Sequence, residues 1–300
     1  GISRISIMPV RYLPMASTKR SVGCHVPVSG GLSRALAQGE ERGCDAIQAF
    51  PSNPRGWAVP SPDLAEEELL AQGVLERGWP LFLHSPYLVN IGAPDPAVHE
   101  RSIINLGFSL ERGVRLGAVG VVVHTGSAKG ESRDEAVARA GETVVDLLEA
   151  IPDSNILIEI TAGSGSLIAG TVDELADVFE AAEWHPRLGI CLDTCHLFAA
   201  GVDISSETGR KKMRASLKEI GPERVKVIHV NDSRDPLGSR RDRHARIGQG
   251  EIGEEPLQKI LAWSELKHAP LILETPGDAQ ENAEDIAIVR RLISSKSRAT

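Results

Sequence analysis

What this 300-residue chain lacks narrows it first. No stretch approaches the ~18 consecutive apolar residues of a membrane helix, and no apolar signal core lies near the start, so membrane-spanning and secretory classes are set aside. Cysteine is scarce: Cys24, Cys44, Cys191 and Cys195 include no CxxC pair and are too few for a disulfide scaffold of this length, which points to reduced thiols in a cytoplasmic protein. The glycine fingerprint expected in the first turn of a doubly wound nucleotide-binding sheet is absent. Excess positive charge is missing too. Lys and Arg number 33 against 41 Asp and Glu, a formal charge of −8, which at face value argues against a nucleic-acid partner.

Acids are absent from residues 1–20, which hold Arg4, Arg11, Lys19 and Arg20 and show neither a helical nor a strand period. This segment reads as a disordered leader, tag scar or upstream extension before Met15, and its composition also suits a transit peptide. It is kept outside the fold. The rest is taken as one domain over 21–296 with a short tail, 297–300, since no linker interrupts it.

What is present is a repeated unit. Apolar runs of strand length recur at 22–26, 46–50, 81–84, 121–124, 156–159, 189–193, 225–230 and 271–274. Near-continuous Val, Ile and Leu runs suit parallel strands buried on both faces. Helix-length stretches separate them. Their starts are signalled by Ser61 before Pro62 and by the capping spacings Ser132 to Glu135 and Thr171 to Glu174. Val137, Ala140, Val144 and Leu148 then trace one helical stripe. Eight strand–helix units in about 275 residues predict a single (β/α)8 barrel.

Seven of the eight runs end in, or closely contain, a side chain able to bind a metal: His25, His84, His124, Glu159, Asp193, His229 and Glu274. In a barrel these positions converge on the face where the carboxyl ends of the strands meet. A single His there is ordinarily a structural residue. Glu159 and Glu274 are different, because carboxylates attached to ILI and LIL runs become buried charges, which persist only when paired or coordinated. Two loops add donors: DTCH places His196 one turn beyond Asp193, and GSRRDRHARIGQG carries Asp242 and His244 two apart, on one side of an extended loop.

His84, His124, Glu159, Asp193, His196, His229, Asp242, His244 and Glu274 make nine nitrogen and oxygen donors. Zinc takes about four ligands, so nine suit two or three ions, zinc or manganese by donor type. Cys191 and Cys195 read as packing residues. Clusters of several metals recur in phosphate-ester hydrolysis, and three dications would offset most of the net negative charge. Arg234, Arg240, Arg241, Arg243 and Arg246 form a cationic loop on the same face, a plausible phosphate contact.

The segments LHSPYLVNI (83–91), VVHTGS (122–127), IEITAGSGS (158–166), CLDTCHLFAAG (191–201), HVNDS (229–233), GSRRDRHARIGQGEIG (238–253) and LILETP (271–276) resemble, in order, the motif series of the endonuclease IV family of zinc-dependent apurinic/apyrimidinic endonucleases. The resemblance spans about 22–293. It implies a trinuclear zinc site, with manganese able to fill one position. His84 and His124 would hold one ion and Asp193, His229 and Glu274 a second. Glu159 would bridge these two, and His196, Asp242 and His244 would hold the third. Glu159 and Glu274 are the implied catalytic carboxylates. The implied activity is hydrolysis of the phosphodiester 5′ to an abasic site, leaving a 3′-hydroxyl and a 5′-deoxyribose phosphate, with trimming of blocked 3′ ends. Double-stranded DNA is then the partner of a monomeric cytoplasmic enzyme, nucleoid-associated if bacterial.

The resemblance also assigns DNA contacts to Arg55, Tyr87, Leu88 and Arg243. Trp57 would pack the loop carrying Arg55. His25 and Asp232 are expected beside the ligands without being ligands. Two departures stand out: Ile160 where the family usually has Asn, and Thr125 where Pro is common. Three alternatives remain: a metal-dependent sugar isomerase or epimerase with the same barrel, a non-enzymatic DNA-damage binder, and a zinc store. Metal stoichiometry and turnover separate them.

Overall fold

Each of the eight apolar runs folds as a strand, and the eight close on themselves. The computed structural model describes residues 19–163 and 166–295; Arg4 and Arg11, Ser164 and Gly165 of the quoted 158–166 motif, and the 297–300 tail lie outside them. The strands are β1 (Val22–His25), β2 (Ile47–Ala49), β3 (Leu81–His84), β4 (Gly120–His124), β5 (Ile156–Glu159), β6 (Leu188–Asp193), β7 (Val225–His229) and, after a small hairpin, β10 (Leu271–Leu273). All pair in parallel in the closed order β1-β10-β7-β6-β5-β4-β3-β2. This is a single (β/α)8 TIM barrel.

Strand alternation sorts the side chains. One set faces the helices. The other fills the barrel with an apolar layer of Ala46, Phe82, Val122, Leu157, Cys191, Val227 and Ile272, all fully buried. Gly23 is the β1 counterpart, at a point where a Cβ would strike the Ala46 carbonyl. Two residues further along every strand comes the next inward position, and these eight are His25, Gln48, His84, His124, Glu159, Asp193, His229 and Glu274. The barrel therefore has an apolar plug with a ring of polar side chains directly above it.

The helices α1 (Arg34–Glu41), α2 (Leu64–Arg77), α3 (Pro96–Leu116), α4 (Arg133–Ala150), α5 (Val172–Ala181), α7 (Glu207–Ile220), α8 (Glu254–Leu261) and α9 (Ala279–Ser294) make the outer layer. Thr171 and Glu174 form the predicted capping box of α5. Ser132 caps α4, accepting from the Glu135 amide. The stripe Val137, Ala140, Val144 and Leu148 is buried. Ser61, however, does not start α2; that cap is Asp63, whose carboxylate accepts from the Glu66 amide. An aspartate there can receive the orphan amide two residues nearer the apolar stripe.

Strict alternation also breaks twice. A short α6 (Thr194–Ala200) follows β6 directly, and the hairpin β8 (Asp232–Ser233) with β9 (His244–Ala245) is inserted after β7. Both insertions sit at the carboxyl end of the barrel. Arg20, read above as part of the leader, is instead tied to the barrel: its guanidinium donates to the carbonyls of Leu261, Leu266 and Ala269.

Candidate metal centre

The polar ring and the two insertions bring nine side chains into one cup. Glu159, at the end of β5, is fully buried and lies at its centre. Its Oε2 is 3.0 Å from His84 Nε2 and 2.9 Å from His124 Nε2, while its Oε1 is 3.0 Å from His229 Nδ1 and 3.2 Å from His196 Nδ1. His229 Nδ1 also lies 3.2 Å from Glu274 Oε2 and 3.7 Å from Asp193 Oδ2. On the hairpin side, Asp242 Oδ1 is 3.0 Å from His196 Nε2 and 3.2 Å from His244 Nε2. Donor atoms gather into His84–His124–Glu159, Glu159–Asp193–His229–Glu274 and Asp193–His196–His244. Strand register builds the first two groups, since His124 pairs with Glu159 and Asp193 with His229 across neighbouring strands.

The backbone decides which nitrogen each imidazole presents. Carbonyl oxygens accept from Nδ1 of three rings: Ser85 from His84 at 2.8 Å, Ile160 from His196 at 2.9 Å, and Glu274 from His244 at 3.1 Å. A neutral imidazole that donates through Nδ1 has its lone pair on Nε2. All three Nε2 atoms then aim lone pairs at carboxylate oxygens, and those of His196 and His244 are buried with no hydrogen-bond partner. Lone pair against anion is repulsive unless a proton or a cation lies between them. The donor set thus fits divalent metal ions.

The electrostatics of the cup favour positive charge, which a proton or a metal ion can supply. Burial alone would raise the Glu159 carboxyl, but the imidazoles of His229 and His124 overcome it and hold it well below the usual carboxylate range. Burial likewise opposes charge on His244, yet Asp242, Asp193 and Glu274 raise its pKa to about 9. Cys191 sits beneath Glu159 and His229, in ligand reach of both. Burial pushes its thiol up to about 12, so it stays protonated and packs in the plug.

Two residues of the cup escaped the sequence reading. Gln48 bonds Glu274, His25 and His229. Asn231 donates to Asp193 Oδ2 at 2.7 Å and accepts from the Glu274 backbone amide at 2.8 Å, tying the carboxylate of one strand to the main chain of another. Gln48 was detectable: it occupies in β2 the inward position that carries a donor in the seven other strands. A buried Asn two residues beyond His229 offered a weaker signal.

The remaining candidates lie around the rim. Tyr87 is 54% exposed and Leu88 36%. The Tyr87 ring packs on Phe50 at 5.2 Å and its amide donates to the Pro54 carbonyl, joining it to the loop of exposed Arg55. Asn105 anchors that loop through the Trp57 carbonyl. Arg243 is exposed, 3.9 Å from Asp235. Arg246 leaves the cationic patch, because its guanidinium is taken up by Glu281, Glu284 and Asp285 of α9. His25 lines the cup and its Nε2 is buried without a partner.

Among the described residues Asp232 bonds none of the nine candidate ligands; its carboxylate gathers the amides of Gly248, Gly250, Ile252 and Gly253 and so folds the loop after the hairpin. A Cβ on Gly250 would come within 2.5 Å of both the Ser233 carbonyl and Asp232. At the family departures, Ile160 orients His196 through its main chain, and Thr125 is buried with an unpartnered hydroxyl. The cup encloses about 470 Å³.

Residues 36–292 match the family described as the xylose isomerase-like TIM barrel, the class that the closed barrel and its strand-end cup define. A "Probable endonuclease 4" of Streptomyces avermitilis is 40% identical over 92% of this chain and 91% of its own length. Endonuclease IV from Thermus thermophilus superposes with a TM-score of 0.81 at 34% identity, over 92% of this chain and 99% of that one. The chain belongs to the endonuclease IV family. A D-tagatose 3-epimerase-like protein shares the fold alone, with a TM-score of 0.71 at 17% identity, over 91% of this chain and 97% of its own.

Proposed function

We propose that this protein is a DNA-repair endonuclease that hydrolyses the phosphodiester 5′ to an abasic site, leaving a 3′-hydroxyl, and that it also trims blocked 3′ ends. The observation that carries this reading is the set of imidazole lone pairs turned on shared carboxylates in one cup. His84, His124 and Glu159 would hold one zinc, Glu159, Asp193, His229 and Glu274 a second, and His196, Asp242 and His244 a third. Bound there, zinc supplies Lewis acidity, bringing the pKa of water down to about 7 and drawing charge from phosphate oxygens.

The chain's own residues supply position. Backbone carbonyls lock the imidazoles of His84, His196 and His244, so these three rings are already oriented when a phosphate arrives. Tyr87 and Leu88 stand at the rim as an exposed apolar wedge, suited to filling the gap that a missing base leaves in a duplex. Arg55, on the loop joined to Tyr87, and exposed Arg243 offer charge for the backbone. Extruding an abasic nucleotide costs only a few kcal/mol, which favours the lesion over intact DNA. No described helix is long and apolar enough to cross a membrane.

The test is incision of a duplex with one abasic site, product ends resolved, by native, metal-stripped and zinc-refilled protein. A zinc-restored cut ending in a 3′-hydroxyl is expected. No cut, with about one ion bound per chain, would move the assignment to sugar isomerisation.

A further inference from the structure

The ring above the barrel plug has one member that cannot coordinate in the manner of its neighbours. Gln48 is fully buried, and its amide makes three short contacts: Nε2 to Glu274 Oε1 at 2.7 Å, Nε2 to His25 Nδ1 at 3.0 Å, and Oε1 to His229 Nε2 at 2.9 Å. Its orientation is determined. Turning the amide over would set its oxygen against the Glu274 carboxylate, acceptor against acceptor. The Nε2 side must therefore donate to Glu274 and His25, and Oε1 must receive a proton from His229 Nε2.

That assignment reaches into the cup. A neutral His229 that donates through Nε2 keeps its lone pair on Nδ1, and Nδ1 is the atom facing Glu159, Glu274 and Asp193. His84, His196 and His244 have backbone carbonyls for the same task, whereas His229 relies on this side-chain amide. The same amide holds Glu274 Oε1, which leaves Oε2 turned toward His229 Nδ1.

We propose that Gln48 is the positioning residue of the second cation site, orienting His229 and Glu274 together so that both present ligand atoms to one ion. This rests on the metal reading above. Loss of such an outer hydrogen bond typically weakens metal binding 10–100-fold. The effect should be confined to one ion, because Gln48 touches no donor of the His196–Asp242–His244 group.

The test uses the full chain loaded with zinc, following release to a chromogenic chelator together with the zinc retained per chain. Gln48→Met keeps the volume and removes every hydrogen bond; one ion should leave about 10–100-fold faster, the others at the native rate. Gln48→Ala opens a polar gap that a water can enter, so release of the same ion should quicken only a few-fold. The second variant carries the test should the first fail to fold. Native release rates in the folded variants would overturn the proposal. So would uniform acceleration of every ion, which marks a packing role, or lost turnover with zinc retention intact, which marks substrate contact. A native chain that binds no zinc would overturn the metal reading itself and this proposal with it.

Discussion

Two buried glutamates show how the same burial serves different chemistry. Glu67, on α2, is 3% exposed, and Arg112 and Arg115 of α3 close around it at 2.7 and 2.5 Å. Glu159 is fully buried among four imidazoles at 2.9–3.2 Å. Guanidinium is permanently charged and carries only donors, so the Glu67 cluster is complete as it stands. Imidazole has one donor and one lone pair, and beside Glu159 the Ser85 carbonyl takes the donor of His84 and the Gln48 amide oxygen that of His229, which turns their lone pairs toward the carboxylate. A closed ion pair welds two helices; a ring of inward lone pairs is built to receive a cation.

The most severe way to break this contrast is Glu159→Gln. Removing the shared carboxylate should lower abasic-site incision by at least ~10³-fold while the far-UV spectrum stays native, since metal assistance contributes several kcal/mol. Near-native turnover in that variant would remove Glu159 from the chemistry. Glu67→Gln should do the reverse. It strands the buried Arg112 guanidinium, with half-buried Arg115 beside it, and costs about 3–5 kcal/mol in urea unfolding, with incision per folded molecule retained; a stability loss under ~1 kcal/mol would contradict the closed-pair account.

Metal removal comes next in size. Stripping zinc should destabilise the native chain by about 2.7 kcal/mol per site whose free zinc had stood at 100 times Kd, visible as a lower melting temperature that zinc restores. Glu67→Gln should keep that response and Glu159→Gln should lose most of it. Equal responses in the two variants would erase the distinction.

A third carboxylate sets the lower bound. Glu265 pairs with half-exposed Arg214 at 2.5 Å, which holds its pKa at about 2. A depressed carboxyl stabilises the fold above its unfolded value near 4.5 and loses that contribution as pH falls toward 2. Glu265→Gln should cost less than ~1 kcal/mol at pH 7, the difference fading through that window in denaturation curves. A larger or pH-independent loss would show that Glu265 acts through packing.

The barrel was legible because its strands are written as apolar runs and its site as a step of two. From Phe82 to His84, Val122 to His124, Leu157 to Glu159 and Ile272 to Glu274, the same interval leads from plug to cup. Gln48 obeys the interval but is not a usual metal ligand, so residue type hid what position would have disclosed. Ser61 misled because a Ser-Pro pair is a good helix start wherever no better cap follows, and Asp63 follows. Arg246 resembled its basic neighbours until the packing of α9 supplied three acids for it. Asp232 and Gly250 look like loop residues in a linear reading; only the turn-back of the chain brings the amides of 248–253 onto one carboxylate.

The sequence by itself determined the barrel, through hydrophobic periodicity, and the inventory of donors, through the residues that end the strands. Periodicity is a local property and needs no neighbour to be read. Tertiary structure alone decided which nitrogen of each histidine faces inward, which arginines remain free, and that Glu67 is paired with arginines while Glu159 is surrounded by imidazoles. Apart from His84, whose partner is the adjacent Ser85 carbonyl, those outcomes depend on atoms tens to hundreds of residues away, as with Gln48 and Glu274, which are 226 positions apart in the chain and hydrogen-bonded at 2.7 Å. Hydrogen-bond direction and charge neutralisation act between groups that only closure of the barrel brings together.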